Sequence, residues 1–324
     1  MNYSRQEAKT YARENMRGIW AAALQPFQAN LALDEAGTMA NIRHWVEELG
    51  IDGVFIAGKQ GEFFSMSVAE RKRTFEIAVE ATRGTNAGTI MSCSDQNLDT
   101  VLELARHAQN IGADYIVVHA PVLHFVTDRD ETLRRYYRTV SEAVDIGIAM
   151  WSHPDSGYEM SPELCAEIAQ LPNIVAIKYS VAREKYVELT RLAGDSLLVS
   201  TASEEEWLDN IIELKWQLYL CSSPPYLLQT SVDRRMREYT DLAFAGEFEK
   251  AREVRESLEP VRQALKRTRP GDKPQAHQKY WQELLGQTGG PVRAPMLALS
   301  AQEKAATREA FEACGLKLPG RAAV

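Results

Sequence analysis

The chain has 324 residues, 45% hydrophobic and 25% charged, an ordinary globular composition with room for one large α/β domain or two smaller ones. Its net charge of -8 at pH 7 argues against a nucleic-acid surface and against a binder of anionic membranes, since both need clustered Lys and Arg. No apolar run approaches the roughly 18 residues that span a bilayer, and the polar, mixed-charge segment 1–16 lacks the apolar centre of a signal peptide, so a cytoplasmic location is expected.

A polar leader over 1–17 is expected to be helical. Gly18 to Phe27 then reads as a first strand closed by Pro26, and Asp34 precedes a helix to Leu49 with apolar Met39, Ile42, Val46 and Leu49 at three- and four-residue spacing. The strand-then-helix unit recurs about every 30 residues, the length of one such unit. Strands are expected at 53–58, 87–92 and 114–120, followed by helices from Val68, over 98–111 and from Glu131. The fifth strand, Ile146 to Trp151, precedes a helix opened by Ser161-Pro162-Glu163, where proline suits the first turn. The sixth is 173–180. The seventh and eighth are 196–201 and 217–222, with helices expected near Glu205 and Tyr226. Eight such units over 18–245 are the requirement of a (β/α)8 TIM barrel, whereas open doubly wound sheets usually stop at five or six strands. Residues 246–324 read as a C-terminal helical extension, with helices at 247–266, 275–285 and 301–314 and a Gly/Pro-rich connector over 286–295.

The sixth strand, Asn173-Ile174-Val175-Ala176-Ile177-Lys178-Tyr179-Ser180, carries the only Lys or Arg of any predicted strand core. Alternation puts Ile174, Ala176 and Lys178 on one face and Val175, Ile177 and Tyr179 on the other. At the catalytic rim of a barrel, a partly desolvated Lys178 would serve as a nucleophilic amine able to form a Schiff base with a 2-oxo acid. The bland alternative is a lysine that snorkels to solvent. Barrel chemistry sits at the carboxyl ends of strands, which selects Gln25, Gly58 to Glu62, Ser92, His119, Trp151 to His153, Lys178, Thr201 and Ser222 to Pro225. The turn Gly58-Lys59-Gln60-Gly61-Glu62 has two glycines that let successive backbone N–H groups face an anion, or that merely make a tight turn. The loops after strands seven and eight contain no glycine and one is acidic, which disfavours a phosphorylated substrate.

The six histidines show no metal-ligand spacing, and Cys93, Cys165, Cys221 and Cys314 lie far apart without a Cys-x-x-Cys pair, so no metal site, no organic cofactor and no disulfide framework is expected. His44, His107 and His277 fall on helices and read as surface residues. His119 and His153 lie near strand ends, where a proton shuttle and a structural hydrogen bond are both open readings.

With the strand lysine, the glycine turn and the eight units in hand, the chain resembles the superfamily of dihydrodipicolinate synthase and N-acetylneuraminate lyase, the class I Schiff-base aldolases. Residues 58–62 look like its Gly-Thr-Thr-Gly-Glu carboxylate-binding turn. Ile177-Lys178 matches its imine-forming lysine, and Val292-Arg293-Ala294-Pro295 is similar to its carboxyl-terminal segment. The resemblance implies a 2-oxo acid such as pyruvate bound as an imine on Lys178, its carboxylate at Gly58, Lys59 and Gln60, an aldehyde acceptor as second substrate, and a homotetramer. Where the family places Tyr-Asn-Val-Pro, this chain has Trp151-Ser152-His153-Pro154. Trp donates an N–H but cannot act as acid or base, so the family's proton-relaying phenol is absent. His153 is the first candidate to replace it, Tyr158 the second and Lys59 the third. Trp151, Ser152 and Ser222 are expected at the substrate, with Phe63, Phe64, Leu123 and Phe125 as an apolar rim. The leading reading is an aldolase or hydratase-aldolase. The alternatives are dehydration of a deoxy sugar acid through the same imine, and a relay-stripped barrel acting as a binding or regulatory protein.

Overall fold

A computed structural model of the protein describes residues 2–124, 127–221 and 224–320. Eight strands, β1 (Gly18–Ala22), β2 (Gly53–Ile56), β3 (Gly88–Ser92), β4 (Tyr115–His119), β5 (Gly147–Ser152), β6 (Ile174–Tyr179), β7 (Leu198–Ser200) and β8 (Leu218–Leu220), form one sheet in the order β7-β6-β5-β4-β3-β2-β1-β8. β1 pairs in parallel with β8, and β3 to β7 pair in parallel in chain order. The two ends of that order meet through a side chain, the Leu220 N–H donating to Ser200 Oγ at 2.7 Å. The expected (β/α)8 barrel is therefore what forms. Its strands are apolar on both faces because helices cover one side and barrel packing the other, which is why they read as continuous hydrophobic runs.

The helices begin where short polar side chains can take up free backbone N–H groups. Asp34 caps α2 (Glu35–Glu47) through Gly37 N, and Ser67 caps α3 (Val68–Thr82) through Glu70 N after the short α1 (Ala8–Asn15) of the leader. Asn97, Asp128 and Ser161 do the same for α4 (Leu98–Asn110), α5 (Arg129–Ala143) and α6 (Pro162–Ile168). α7 (Arg183–Ala193) and α8 (Trp207–Leu214) follow β6 and β7.

Two expected helices differ. The one placed near Tyr226 is only a 3-10 turn, Pro225–Leu227, and α9 starts at Arg235 and runs to Phe244. Pro224 and Pro225 have no N–H to give, and the Tyr226 hydroxyl is engaged elsewhere, accepting from Leu24 N at 2.8 Å and donating to Ala22 O at 3.0 Å. The helix expected over 247–266 is split into α10 (Phe248–Ser257) and α11 (Glu259–Arg267), because Pro260 cannot continue α10 and sits instead in the first turn of α11. α12 (Pro274–Leu284) and α13 (Ala301–Ala313) match their expected places. His277, expected on the surface, is fully buried in α12, with its Nε2 2.8 Å from Thr268 Oγ1 and its ring 6.2 Å from that of Trp281.

The chain packs as two compact units, residues up to Trp20 with 88–221, and 21–87 with the residues from 222 onward. In the first, Asn173 ties the amino ends of β5 and β6, its Nδ2 donating to Val144 O and Ile146 O at 3.0 and 3.1 Å. In the second, the C-terminal segment shares a core with the early chain: Trp281 Nε1 donates to Leu227 O at 3.0 Å, and Trp45 stacks on Tyr226 with centroids 3.8 Å apart. Among the described residues no helix is long and apolar enough to cross a membrane.

Candidate active site

Register builds the site. Parallel pairing sets His119 against Trp151, Trp151 against Lys178 and Lys178 against Ser200. Paired residues of neighbouring strands share a face, so these four side chains form one layer at the carboxyl ends of β4 to β7. The opposite face is committed to packing. The Tyr179 hydroxyl donates to Met160 O at 2.5 Å and Ser152 Oγ accepts from Met160 N at 3.1 Å, pinning the segment that leads into α6. Ser152 thus alternates away from Lys178, and its hydroxyl holds the strand end.

Lys178 is 1% exposed, so the amine does not reach bulk water. Its Nζ donates to the Cys221 carbonyl at 2.6 Å and lies 4.9 Å from the centroid of the Trp151 ring. Cys221 is itself placed by its N–H, which donates to Trp20 O at 3.2 Å, just past the end of β8. An amine held by a neutral carbonyl and an indole has the setting in which nucleophilic lysines work.

His119 occupies the end of β4, with its ring edge-to-face on Trp151 at 4.8 Å. Its Nδ1 is 2.6 Å from Ala120 O and its backbone N–H donates to Ser94 Oγ at 2.9 Å. Ser156 Oγ donates to the same Ala120 carbonyl at 2.7 Å. His153 stands in extended backbone before the turn Pro154–Ser156. Its Nδ1 accepts from Asp155 N at 3.2 Å and lies 3.0 Å from Asp155 Oδ1, with a ring centroid 6.4 Å from that of Trp151. Tyr158 donates its hydroxyl to Pro121 O at 2.6 Å under the Arg129 guanidinium, and burial pushes its phenol up to about 12. Ser222 and Phe125 lie outside the described residues.

The glycine turn belongs to the second unit. Glu62 N donates to Lys59 O at 3.1 Å, and Gln275 Nε2 reaches the same carbonyl at 3.2 Å. The left-handed residues of this turn are Ala57 and Glu62, with φ of 52° and 55°, and not its glycines. Gly61 is needed for closeness: a Cβ there would stand 3.1 Å from Ala23 O and 3.2 Å from Ala57 Cα. Glu62 is wholly buried, its Oε1 2.5 Å from Lys279 Nζ and its Oε2 accepting from Arg293 N at 3.1 Å. The Arg293 guanidinium grips Glu70 through two bonds of 2.6 and 3.0 Å and stacks 4.0 Å from Phe27, and it holds the Glu70 carboxyl below its ordinary value.

This clamp ties the 292–295 segment to the 58–62 turn, a contact that local sequence patterns do not reveal. Lys279 and Glu62 are 217 positions apart, and neither sits in a pattern that names a partner. Ser94 and Ser156 were missed for the same reason, since their roles are set by which loop crosses β4.

A model of the dihydrodipicolinate synthetase family matches residues 15–314. The chain is similar to a 4-hydroxy-tetrahydrodipicolinate synthase of Methanothrix thermoacetophila, with 26% identity over 296 residues that cover 90% of this chain and 95% of that one. It is similar to an N-acetylneuraminate lyase of Clostridium perfringens, with 31% identity over 194 residues, 60% of this chain and 66% of that one. The solved structure of a prophage protein of E. coli K12, of the dihydrodipicolinic acid synthase family and in complex with pyruvate, superposes with a TM-score of 0.81 over 93% of this chain and 99% of that one, at 22% identity, a likeness of fold. The dehydratase and binding-protein alternatives are not favoured by these likenesses. Because the family pattern runs through nearly the whole barrel and its extension, the chain belongs to the dihydrodipicolinate synthetase family and is a lyase of the Schiff-base aldolase type.

Proposed function

We propose that the protein joins or splits a 2-oxo acid, pyruvate being the simplest, and an aldehyde through an imine on Lys178. One observation carries this reading: the Lys178 Nζ, 1% exposed, is held between the Cys221 carbonyl and the Trp151 indole at the carboxyl end of β6. Burial disfavours ammonium relative to amine, which is what attack on a ketone requires. The amine forms a C–N bond to C2, and the carbonyl π pair moves to oxygen and takes a proton. That proton comes from the attacking nitrogen; a second proton, from solvent, lets the oxygen leave as water while the nitrogen lone pair forms the C=N bond of the iminium. The role of Gly58, Lys59 and Gln60 in binding the carboxylate is supported by the family likeness of the turn. Trp151 is supported as a wall of the acceptor site by its distance to the amine, and its bulk where the family has a phenol favours an apolar or aromatic aldehyde. A cytoplasmic homotetramer completes the proposal, supported by acidic charge and family likeness, and light scattering tests the assembly.

The deciding experiment is borohydride treatment in the presence of pyruvate, followed by intact mass and peptide mapping. A single reduced adduct on Lys178 is expected. No adduct across a panel of 2-oxo acids would overturn the reading. Incubating aldehydes of graded size with pyruvate then identifies the acceptor class.

A further inference from the structure

Resting on the Lys178 imine, we propose that His119 is the group that moves the proton at C3 of the bound 2-oxo acid, taking over from the phenol that Trp151 displaces. The register puts His119 and Lys178 on either side of Trp151 in one layer. The His119 ring and the Lys178 Nζ lie 4.8 and 4.9 Å from the centroid of the same indole. An imine formed on Nζ would stand in the layer that the imidazole and the indole line.

The tautomer follows from the partners. A carbonyl oxygen only accepts, so His119 Nδ1, 2.6 Å from Ala120 O, carries the hydrogen, and Nε2 is the basic nitrogen. The ring is held by Ala120 O, which Ser156 Oγ also contacts, and the backbone of the same residue is held by Ser94 Oγ. The competing groups are turned to other work. His153 Nδ1 accepts from Asp155 N beside the Asp155 carboxylate, with the side chain 31% exposed, and the Tyr158 hydroxyl donates to Pro121 O.

The step balances. His119 Nε2 takes a C3 proton from the iminium, the C–H pair becomes the C2–C3 double bond, and the C=N π pair returns to nitrogen. An enamine and an imidazolium result, so one positive charge passes from the iminium to the ring and no charge pair is separated inside the protein. The imidazolium then returns its proton to C3, or to the oxygen of an aldehyde once the enamine carbon has bonded to its carbonyl carbon.

The test follows the loss of the pyruvate methyl signal in deuterated water by proton NMR, which needs no acceptor, alongside borohydride trapping. The full-length parent is expected to exchange the methyl protons. His119→Asn and His119→Gln keep an amide for Ala120 O and are expected to slow exchange by roughly 100-fold or more while the Lys178 adduct still traps. Exchange in both His119 variants within about threefold of the parent, with trapping intact, would overturn the role of His119 and leave the imine standing. Loss of trapping in both variants would assign His119 to folding and also overturn it. A parent that neither traps nor exchanges would bring down the imine reading itself.

Discussion

Lys178 and Lys279 are equally hidden, at 1% exposure each, and each amine lies close to an aromatic ring, Trp151 at 4.9 Å and Phe27 at 4.4 Å. Their hydrogen-bond settings differ. Lys178 donates to a neutral backbone carbonyl at the end of β8, whereas Lys279 is 2.5 Å from the buried Glu62 carboxylate and donates to Pro291 O at 2.8 Å. Burial pushes the Lys279 ammonium below the ordinary lysine value, and Glu62 pulls it back up. A carboxylate favours the charged form of a lysine and makes it a strut, whereas a backbone carbonyl brings a dipole and no opposing charge. Burial alone therefore does not mark a reactive lysine.

The sharpest test of this contrast is to exchange which amine is present. Lys178→Ala is expected to abolish the borohydride adduct and reduce turnover by on the order of 10⁴-fold or more. Lys279→Met should leave a single adduct on Lys178, and mapping the reduced site distinguishes the two. The second test strips the strut of its charge partner. Glu62→Gln leaves Lys279 buried beside a neutral amide and should cost about 3–5 kcal/mol in urea unfolding, most of which the double change Glu62→Gln with Lys279→Met should restore.

A third buried base, His277, which shares a unit with Lys279, extends the comparison to a group whose ring nitrogen meets a hydroxyl. Burial, helped by the Arg269 charge, pulls its pKa from 6.5 to about 4. The unfolded chain therefore takes up the proton first as pH falls. The contribution is fully present above pH 6.5 and lost between 6.5 and 4, a decline of about 2–3 kcal/mol. Unfolding free energies across that window should fall with this slope in the parent and flatten in His277→Gln. The smallest effect is expected at the clamp's outer member. Arg293→Lys loses the two-pronged grip on Glu70 and should cost about 1–2 kcal/mol, read as a lower urea midpoint with an unchanged slope.

Much of this was legible beforehand. The eight strands showed as apolar runs because a parallel strand is covered on both faces, and two helix starts showed as Asp34 and Ser161 because a free N–H attracts a short polar side chain. Lys178 stood out for the complementary reason: a charge in such a run is costly. The helix placed near Tyr226 failed because the apolar pattern there belongs to a packed loop whose hydroxyl seeks Leu24 N and Ala22 O, a demand that local spacing does not carry. The break at Leu258 was available in Pro260 and passed over in favour of periodicity.

Composition and periodicity by themselves determined the strand count, the barrel and the identity of the one lysine in a strand, since each depends on a residue and its near neighbours. Tertiary structure alone decided that His119 shares a layer with Trp151 and Lys178, that Ser152 turns away from them, and that Glu62 meets Lys279 rather than solvent. Those outcomes depend on strand register and on loops that close over long stretches of chain. Which partner a buried charge finds is set by that closure, and no local pattern records it.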